Sequence, residues 1–442
     1  MRFPKFELLR SVSRKQFLRA ISLALYAAGF LFAALPLAAQ TKLDGLWDAT
    51  VAVGQADIPF RFEIATNNGQ LQGFFFEGDK KIVSSSGEFA NQQLLFQYDA
   101  LFSELSATLE EDQLQGTYRY KRKNGKVYLF HAHRFHPTSS DEEPPQVAGN
   151  WEMKLAGEDK NPKKDGRAAL SWKLFLRQTG REVSGAILRV DGDTGTLTGR
   201  WLGKTLVLSH FAGERPVLFE ALLLSDGTLD VTYNRLNKYL AARSSEARAK
   251  GIPEPPDTSR YTSVTDPTQP FHFQFPSVDG TLVSDRDPRL AGKVILLTIG
   301  GTWCPNCRDE APFLVDLYKT YHARGLEIIA LNFEAAGDPL EDNPRIAAFI
   351  QEFGVPYPVL LAGAIDDVKG KLPQLLNFGA FPTTIFVGRD GRVRSVHAGF
   401  ASAATGEASA DLASETRKTI ERLLAEDPAA TSSASTRAAP VD

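Results

Sequence analysis

An internal repeat in the first 240 residues constrains the fold more than any other feature. Residues 43–135 align with 147–237: LDGLWDATV matches VAGNWEMKL, and ELSATLEEDQLQGTYRY matches FEALLLSDGTLDVTYNR. Both copies consist of short segments in which apolar and polar residues alternate between Gly and Asn-Gly turns, which is typical of antiparallel strands. We therefore predict two tandem β-units, each a barrel or sandwich, with Trp47 and Trp151 as core residues.

The pattern changes at Phe271, where buried apolar strands begin to alternate with amphipathic helices. This alternation predicts an α/β layer fold with a central sheet. Helices are expected from about Asn306 to Arg324, from Pro344 to Phe353, near Gln374 and from Ala410 to Ala425. The predicted segments are a leader (1–40), the first β-rich repeat (41–138), the second (146–240), a Pro-rich linker (241–269), the α/β domain (270–427) and a disordered tail (428–442).

The leader has the layout of a secretory signal. Basic residues precede the apolar run AISLALYAAGFLFAALPLAA, which ends in small residues. This layout predicts a periplasmic or other extracytoplasmic protein. The run is also long enough to span a bilayer, so a tether to the inner membrane through residues 20–39 stays an alternative. SRKQFLR (13–19) resembles a twin-arginine motif with Lys15 in place of the second arginine. The net charge of -3 does not point to a nucleic-acid partner.

Both cysteines of the chain, Cys304 and Cys307, lie in TIGGTWCPNCRDEAPFL. A structural disulfide here would close too short a loop to restrict the unfolded chain much. A zinc site would need two further ligands, and the nearby histidines, His272, His322 and His397, lack ligand spacing. Both interpretations are disfavoured but stay open.

A reactive pair has positive support. The buried strand VILLTIG runs into a turn, and a helix begins at Pro305, where the missing N–H does no harm. Cys304 is thus expected at a helix N-terminus, where free N–H groups and the helix dipole favour a thiolate. Cys307, one turn later, is placed to attack a mixed disulfide on Cys304.

At this point the sequence resembles a known family. WCPNC, with a strand before it and Pro312 after it, resembles the thioredoxin fold. VILLTIGGTWCPNCRDEAPFL resembles the TlpA/ResA-like branch of exported bacterial thiol-disulfide oxidoreductases, over about 270–425. The resemblance implies a thioredoxin-like α/β C-terminal domain. The two antiparallel all-β repeats before it separately resemble lipocalin-like barrels through the GxW pattern in each, so a lipocalin-like barrel or a sandwich is expected for them. The TlpA/ResA-like resemblance also implies that FHFQFPSVDG forms the opening hairpin.

The same resemblance implies the site residues. Cys304, Cys307, Glu334 (from LEIIALNFEAAGD) and Pro382, the cis-proline of GAFPTTIFVGRDGRV, are the expected catalytic residues. Glu334 would accept the proton of Cys307. Trp303, Pro305, Phe381 and Thr383 are the expected substrate-binding residues. No metal is expected, and the redox-active disulfide takes the place of a cofactor.

The implied partners are protein dithiols or disulfides and an extracytoplasmic electron donor, such as a membrane thiol reductase.

Two residues depart from the pattern of the thioredoxin fold. Thr298 stands where thioredoxin has a buried aspartate, and Phe381 is bulkier than usual. Arg308 is expected to be an exposed helix residue.

Three alternatives remain. Peroxiredoxins resemble this domain, but Leu297 and Gly301 replace the proline and threonine of their motif. The chain could instead be a binding protein whose β-repeats capture a ligand or partner. His131, His133 and His136 could bind copper or zinc, although an exposed strand end explains them as well. DGDTGTLTG (191–199) is interpreted as a turn between strands.

Overall fold

The computed structural model describes residues 43–121, 125–136, 143–157, 171–257 and 262–426. The predicted leader (1–40) and tail (428–442) lie outside these ranges, so what the sequence indicates about them stays a prediction. Within the described ranges, no helix combines the length and apolar character needed to cross a membrane.

The first repeat is a single sheet of nine antiparallel strands, in the order β4-β3-β2-β1-β9-β8-β7-β6-β5. The sheet curls so that β5 approaches β3, where a methyl group built on Gly87 would lie 2.2 Å from the Leu71 carbonyl oxygen, but no strand pairing among the described residues closes it into a ring. The strands are β1 Gly45–Val53, β2 Ala56–Asn67, β3 Gln70–Glu77, β4 Lys80–Val83, β5 Ser86–Ala90, β6 Gln93–Tyr98, β7 Ser103–Glu110, β8 Gln113–Tyr120 and β9 Val127–Arg134.

The second repeat also has nine strands, and eight of them close a barrel. The order is β11-β10-β18-β17-β16-β15-β14-β12-β13, and β11 pairs with β12 to complete the ring. The strands are β10 Gly149–Leu155, β11 Trp172–Thr179, β12 Glu182–Arg189, β13 Gly192–Asp193, β14 Leu197–Leu202, β15 Thr205–His210, β16 Val217–Leu223, β17 Leu229–Tyr233 and β18 Asn237–Arg243. The prediction of two all-β repeats is confirmed.

Each repeat is built around its early tryptophan. The indole N–H of Trp47 donates to the Leu43 carbonyl at 3.0 Å, and that of Trp151 donates to the Val147 carbonyl at 2.8 Å. Both rings are buried. An arginine on the last strand of each repeat places its guanidinium group over the tryptophan ring of that repeat. The two tryptophans are core residues, as predicted.

The C-terminal domain has a five-stranded sheet in the order β24-β23-β22-β26-β27. The first three strands are parallel and the last two antiparallel. The elements are β19 Ser263–Val264, β20 Gln274–Pro276, β21 Leu282–Ser284, β22 Val294–Gly300, α1 Pro305–Tyr321, β23 Leu326–Glu334, α2 Pro339–Phe353, β24 Val359–Ala364, α3 Val368–Lys371, β25 Leu375–Leu376, β26 Thr383–Val387, β27 Val393–Ala398 and α4 Glu407–Leu424. Every residue of β22 and β23 is buried, as expected for central strands.

The predicted thioredoxin-like fold is confirmed, with two differences in its helices. Helix α2 begins at Pro339 and not at Pro344. Asp338 caps it by accepting a hydrogen bond from the Leu340 N–H at 2.8 Å, and a proline is tolerated in a first helical turn. The short helix is Val368–Lys371, a few residues before the expected position near Gln374.

Candidate active site

The cysteine pair lies where β22 passes into α1. Cys304 is the N-cap of α1, with an extended backbone, and its Sγ accepts a hydrogen bond from the Cys307 N–H at 3.3 Å. Both are free thiols, and Cys304 is only 4% exposed. An N–H group directed at the sulfur stabilises negative charge there, which is the electrostatic requirement for a nucleophilic thiolate.

The proline loop lies directly beside Cys304. The Phe381–Pro382 peptide bond is cis, and the Phe381 carbonyl oxygen accepts a hydrogen bond from the Cys304 thiol at 3.4 Å. The structure therefore brings together Cys304, Cys307 and Pro382, which the sequence placed in one site.

The four expected substrate-binding residues divide into two kinds. The Trp303 indole donates to the Phe333 carbonyl at 2.7 Å, and its ring packs edge-on against Phe381 with 5.1 Å between centroids. Trp303, Pro305 and Phe381 are partly exposed at the site. Thr383 is different, since it is fully buried and its hydroxyl donates to the Ala380 carbonyl at 2.8 Å. The role of Thr383 in substrate binding stays a prediction.

A carboxyl group that the sequence analysis missed lies next to Cys307. Glu310 follows one turn later on α1 and accepts hydrogen bonds from the hydroxyls of Thr298 at 2.8 Å and Thr384 at 2.9 Å. Burial raises the pKa of Glu310 to about 7. Burial also raises the pKa of Cys307, and Cys304 and the charge of Glu310 raise it further. The i,i+3 spacing of Cys307 and Glu310 was the available signal.

Glu334 lies on the other side of the motif. Its carboxylate accepts hydrogen bonds from the Thr302 N–H at 2.8 Å, the Thr302 hydroxyl at 2.7 Å and the Asn332 amide at 3.0 Å. Burial raises its pKa, and the charge of Asp342 adds to this. These bonds hold the turn that precedes Cys304. Its expected role as proton acceptor of Cys307 stays a prediction.

Arg308 is buried, contrary to expectation. Its guanidinium donates to the Ala100 carbonyl of the first repeat at 3.1 Å and to both Glu352 oxygens at 2.7 Å, and it lies 5.2 Å from the centroid of Phe353. The cause is the packing of the first repeat against α1. That contact joins residues far apart in the chain, which local sequence patterns do not reveal.

The histidine cluster stays apart from the dithiol. His131 and His133 are exposed on β9, and His136 is exposed just beyond it. Across the described ranges, no three His, Cys, Asp or Glu side chains are grouped so that they could hold a metal ion.

Comparison with known proteins matches residues 263–412 to the Redoxin family. Three similar relatives are thiol-disulfide oxidoreductases ResA. That of Geobacillus kaustophilus is 31% identical over 108 residues, which are 24% of this chain and 56% of the relative. That of Bacillus anthracis is 32% identical over 122 residues, 28% of this chain and 63% of the relative. That of Halalkalibacterium halodurans is 30% identical over 133 residues, 30% of this chain and 67% of the relative.

The chain therefore spans between about half and two thirds of the length of these relatives. Among solved structures, it is similar to a putative thiol:disulfide interchange protein DsbE from Chlorobium tepidum. The sequence identity is 23% and the TM-score 0.27, and the match covers 35% of this chain and 93% of that one.

Proposed function

Because this chain belongs, through its C-terminal domain, to the ResA family of thiol-disulfide oxidoreductases, we propose that it exchanges its Cys304/Cys307 dithiol with disulfides of extracytoplasmic proteins. The observation that carries the proposal is the position of Cys304, which caps α1 beside the cis-proline with the Cys307 N–H on its sulfur. The proposed direction, reduction of the partner's disulfide, is the one that the family implies. Repeated reduction needs an external electron donor, because the chain has only two cysteines.

The reaction has two steps. The Cys304 thiolate attacks one sulfur of the partner's disulfide, and a mixed disulfide forms as the partner's other sulfur leaves as a thiol. The Cys307 thiolate then attacks Cys304, so that the partner leaves with both sulfurs reduced and the protein holds the disulfide. Two electrons pass to the partner and return from the donor.

Glu310 is proposed as the proton acceptor of Cys307. The thiol of Cys307 is held protonated by burial, and a thiol must lose its proton before it can attack. A carboxyl group whose pKa is about 7 exchanges protons readily at neutral pH. Glu310 thus does the work of the buried aspartate of thioredoxin, from the helix and not from the strand, with the Thr298 hydroxyl as its support.

The β-repeats are assigned no reaction. The interior of each is filled by large buried side chains, among them Phe62, Phe75 and Phe130 in the first and Trp201, Phe219 and Tyr239 in the second. A ligand inside either repeat would have to displace these rings, so the geometry favours exchange over capture of an interior ligand.

The first test is the reduction potential of the pair in the full chain, equilibrated with glutathione or dithiothreitol buffers. A reversible two-electron couple near or below about -270 mV, the value for thioredoxin, is the expected result for a reductase. A couple near about -120 mV would reverse the direction to disulfide formation. The absence of a reversible couple would refute the proposal.

The second test compares E310Q with E334Q by trapping the mixed disulfide. In E310Q we expect the attack of Cys307 to slow by about 100-fold, the lower range for loss of a general base. The wild-type rate should rise through pH 7 as Glu310 loses its proton. E334Q should keep this inflection, and a loss of the inflection in E334Q alone would assign the proton to Glu334.

A further inference from the structure

A turn of the second repeat lies directly on the dithiol motif. We call residues 191–195, which include β13, the wall turn. A methyl group built on Gly192 would lie 1.8 Å from the Asn306 Nδ2 atom and 3.2 Å from the Phe400 carbonyl oxygen. Gly192 also has a φ of 110°, which favours glycine. Bare backbone of the second repeat is therefore packed onto the middle of CPNC.

The wall turn also fills the space next to the proline loop. The Gly399 N–H donates to the Pro382 carbonyl at 2.8 Å, so the chain after β27 borders the cis-proline. A methyl group on Gly399 would lie 2.7 Å from the Gly192 nitrogen. Residues 399–402 are all buried. One side of the site, between the start of α1 and the proline loop, is thus covered by the second repeat.

The wall turn is fixed by a buried carboxylate. Asp193 is fully buried and accepts hydrogen bonds from the N–H groups of Ser402 and Gly195. The Arg215 guanidinium lies 3.5 Å from Asp193 and also pairs with Asp309, two residues after Cys307. A buried carboxylate without these partners would be strongly destabilised, so the docked position is well defined.

The opposite side of the site is aromatic and partly exposed. The rings of Trp303 and Phe381 lie 5.1 Å apart, and those of Phe381 and Phe378 lie 5.0 Å apart, in edge-on contacts. All three are partly exposed. This side offers a surface on which an apolar residue next to a partner's cysteine can pack.

We infer that the wall turn selects partners by shape. This inference rests on the dithiol–disulfide exchange proposed above. The partner's disulfide must reach Cys304 Sγ, whose residue is only 4% exposed, while the wall turn occupies one flank. A disulfide on a flexible, protruding segment reaches the sulfur along the aromatic side. A disulfide that lies flush with a folded surface is excluded, because that surface would collide with the second repeat.

The test uses the pre-reduced full chain and three substrates that contain a glutathione disulfide bond: glutathione disulfide itself, a glutathionylated flexible peptide, and a folded protein glutathionylated at a flush surface cysteine. In each case Cys304 bonds to one sulfur while the substrate's disulfide breaks and its other sulfur leaves as a thiol, and Cys307 then releases the first sulfur as a thiol by forming the Cys304–Cys307 disulfide. Mass spectrometry of quenched samples gives the rates. We expect the wild type to reduce the peptide at least tenfold faster than the folded protein.

Two variants displace the wall turn. Gly192→Ala drives a methyl group into Asn306, and Arg215→Met removes the guanidinium that joins Asp193 to Asp309. Each should raise the rate on the folded protein, relative to the peptide, by about fivefold. Gly203→Ala is the matched control, since Gly203 also has a positive φ but has open space around its α-carbon. It should keep the wild-type ratio.

Three outcomes are decisive against the inference. Equal wild-type rates on the peptide and the folded protein would overturn it, and so would an unchanged ratio in both Gly192→Ala and Arg215→Met. A protein that reduces none of the three substrates, glutathione disulfide included, would overturn the proposed exchange itself. The first two results leave the exchange intact.

Discussion

The two β-repeats share a strand order but use the same turn for different contacts. Glu77 pairs with Lys80 across the turn of the first repeat, and Arg189 pairs with Gly192 across the turn of the second. In the first repeat, the Glu77 carboxylate accepts the Thr196 N–H at 2.7 Å and thereby binds the second repeat. In the second, the turn binds the dithiol motif. Equivalent turns, though not equivalent residues, thus join each unit to the next one along the chain.

The difference between the two turns is a difference in chemistry. The first contact is made by a side chain, because the Glu77 carboxylate accepts the Thr196 N–H and also lies 3.3 Å from the His210 Nε2 atom. In the second contact the turn presents bare backbone, because glycine occupies the position that corresponds to Lys80, and the ion pairs of Arg215 with Asp193 and Asp309 hold that turn in place. A repeated fold can therefore supply a structural joint once and part of an active site the second time, through different residues in the same turn.

The largest expected effect tests whether the two repeats are equally dependent on their core. Trp47→Ala and Trp151→Ala should each lower the free energy of unfolding of their own repeat by about 3–5 kcal/mol, since both indoles are buried. Peptide-level hydrogen exchange resolves the two repeats in the full chain. Leu129→Ala, at an exposed side chain of β9, is the control and should change little. A much smaller loss of unfolding free energy for Trp47→Ala would show that the sheet of the first repeat tolerates removal of its core tryptophan better than the closed barrel of the second repeat does.

A smaller effect tests the arginine over each tryptophan. The Arg134 guanidinium lies 4.2 Å from the Trp47 ring centroid, and that of Arg243 lies 4.3 Å from the Trp151 centroid. Both also donate to backbone carbonyls near the start of the repeat. We expect Arg134→Met and Arg243→Met to cost about 1–3 kcal/mol each in the same assay. Unequal losses of unfolding free energy would show that the two arginines stabilise their repeats to different extents despite their matching positions.

Much of this architecture could be predicted from local patterns. Alternation with a period of two gave both β-repeats, and matched segments placed Trp47 and Trp151 in equivalent cores. A buried strand followed by Pro305 placed Cys304 at a helix start. These features depend on neighbours in the sequence, which is why one sequence was enough to find them.

What the sequence did not reveal depends on contacts between distant segments. The spacing from Cys307 points to Glu310, but its support by hydroxyls from two strands, 12 and 74 residues away, becomes visible only in the fold. The burial of Arg308 by the first repeat and the position of Gly192 on Asn306 arise in the same way. The segment 191–199, interpreted from the sequence as a turn between strands, also contains β13 and the start of β14, and its contact with the dithiol has no local signature.

The smallest expected effect compares how acid changes the stability contributed by Glu77, at the contact between the two repeats, and by Asp309, at the contact between the second repeat and the dithiol motif. Burial raises the pKa of Glu77, but His210, Arg215 and the Thr196 hydrogen bond outweigh it, so the pKa lies below its usual 4.5. At the second contact, burial of Asp309 outweighs the attraction of Arg215 and holds its pKa above 3.8. The two carboxyl groups should therefore affect stability with opposite signs.

Glu77 contributes stability that is present above pH 4.5 and is lost as the pH falls through its lowered pKa, because the unfolded chain then binds more protons. Asp309 keeps its proton to higher pH in the native state, so its contribution declines as the pH rises from 3.8 to the raised pKa. Denaturant unfolding of wild type, Glu77→Gln and Asp309→Asn from pH 3 to 6 measures both. On acidification, the advantage of wild type over Glu77→Gln should shrink and its stability relative to Asp309→Asn should grow. If both differences moved in the same direction, the pKa values of Glu77 and Asp309 would not be shifted in opposite directions by folding, and the contrast between the two contacts would fail.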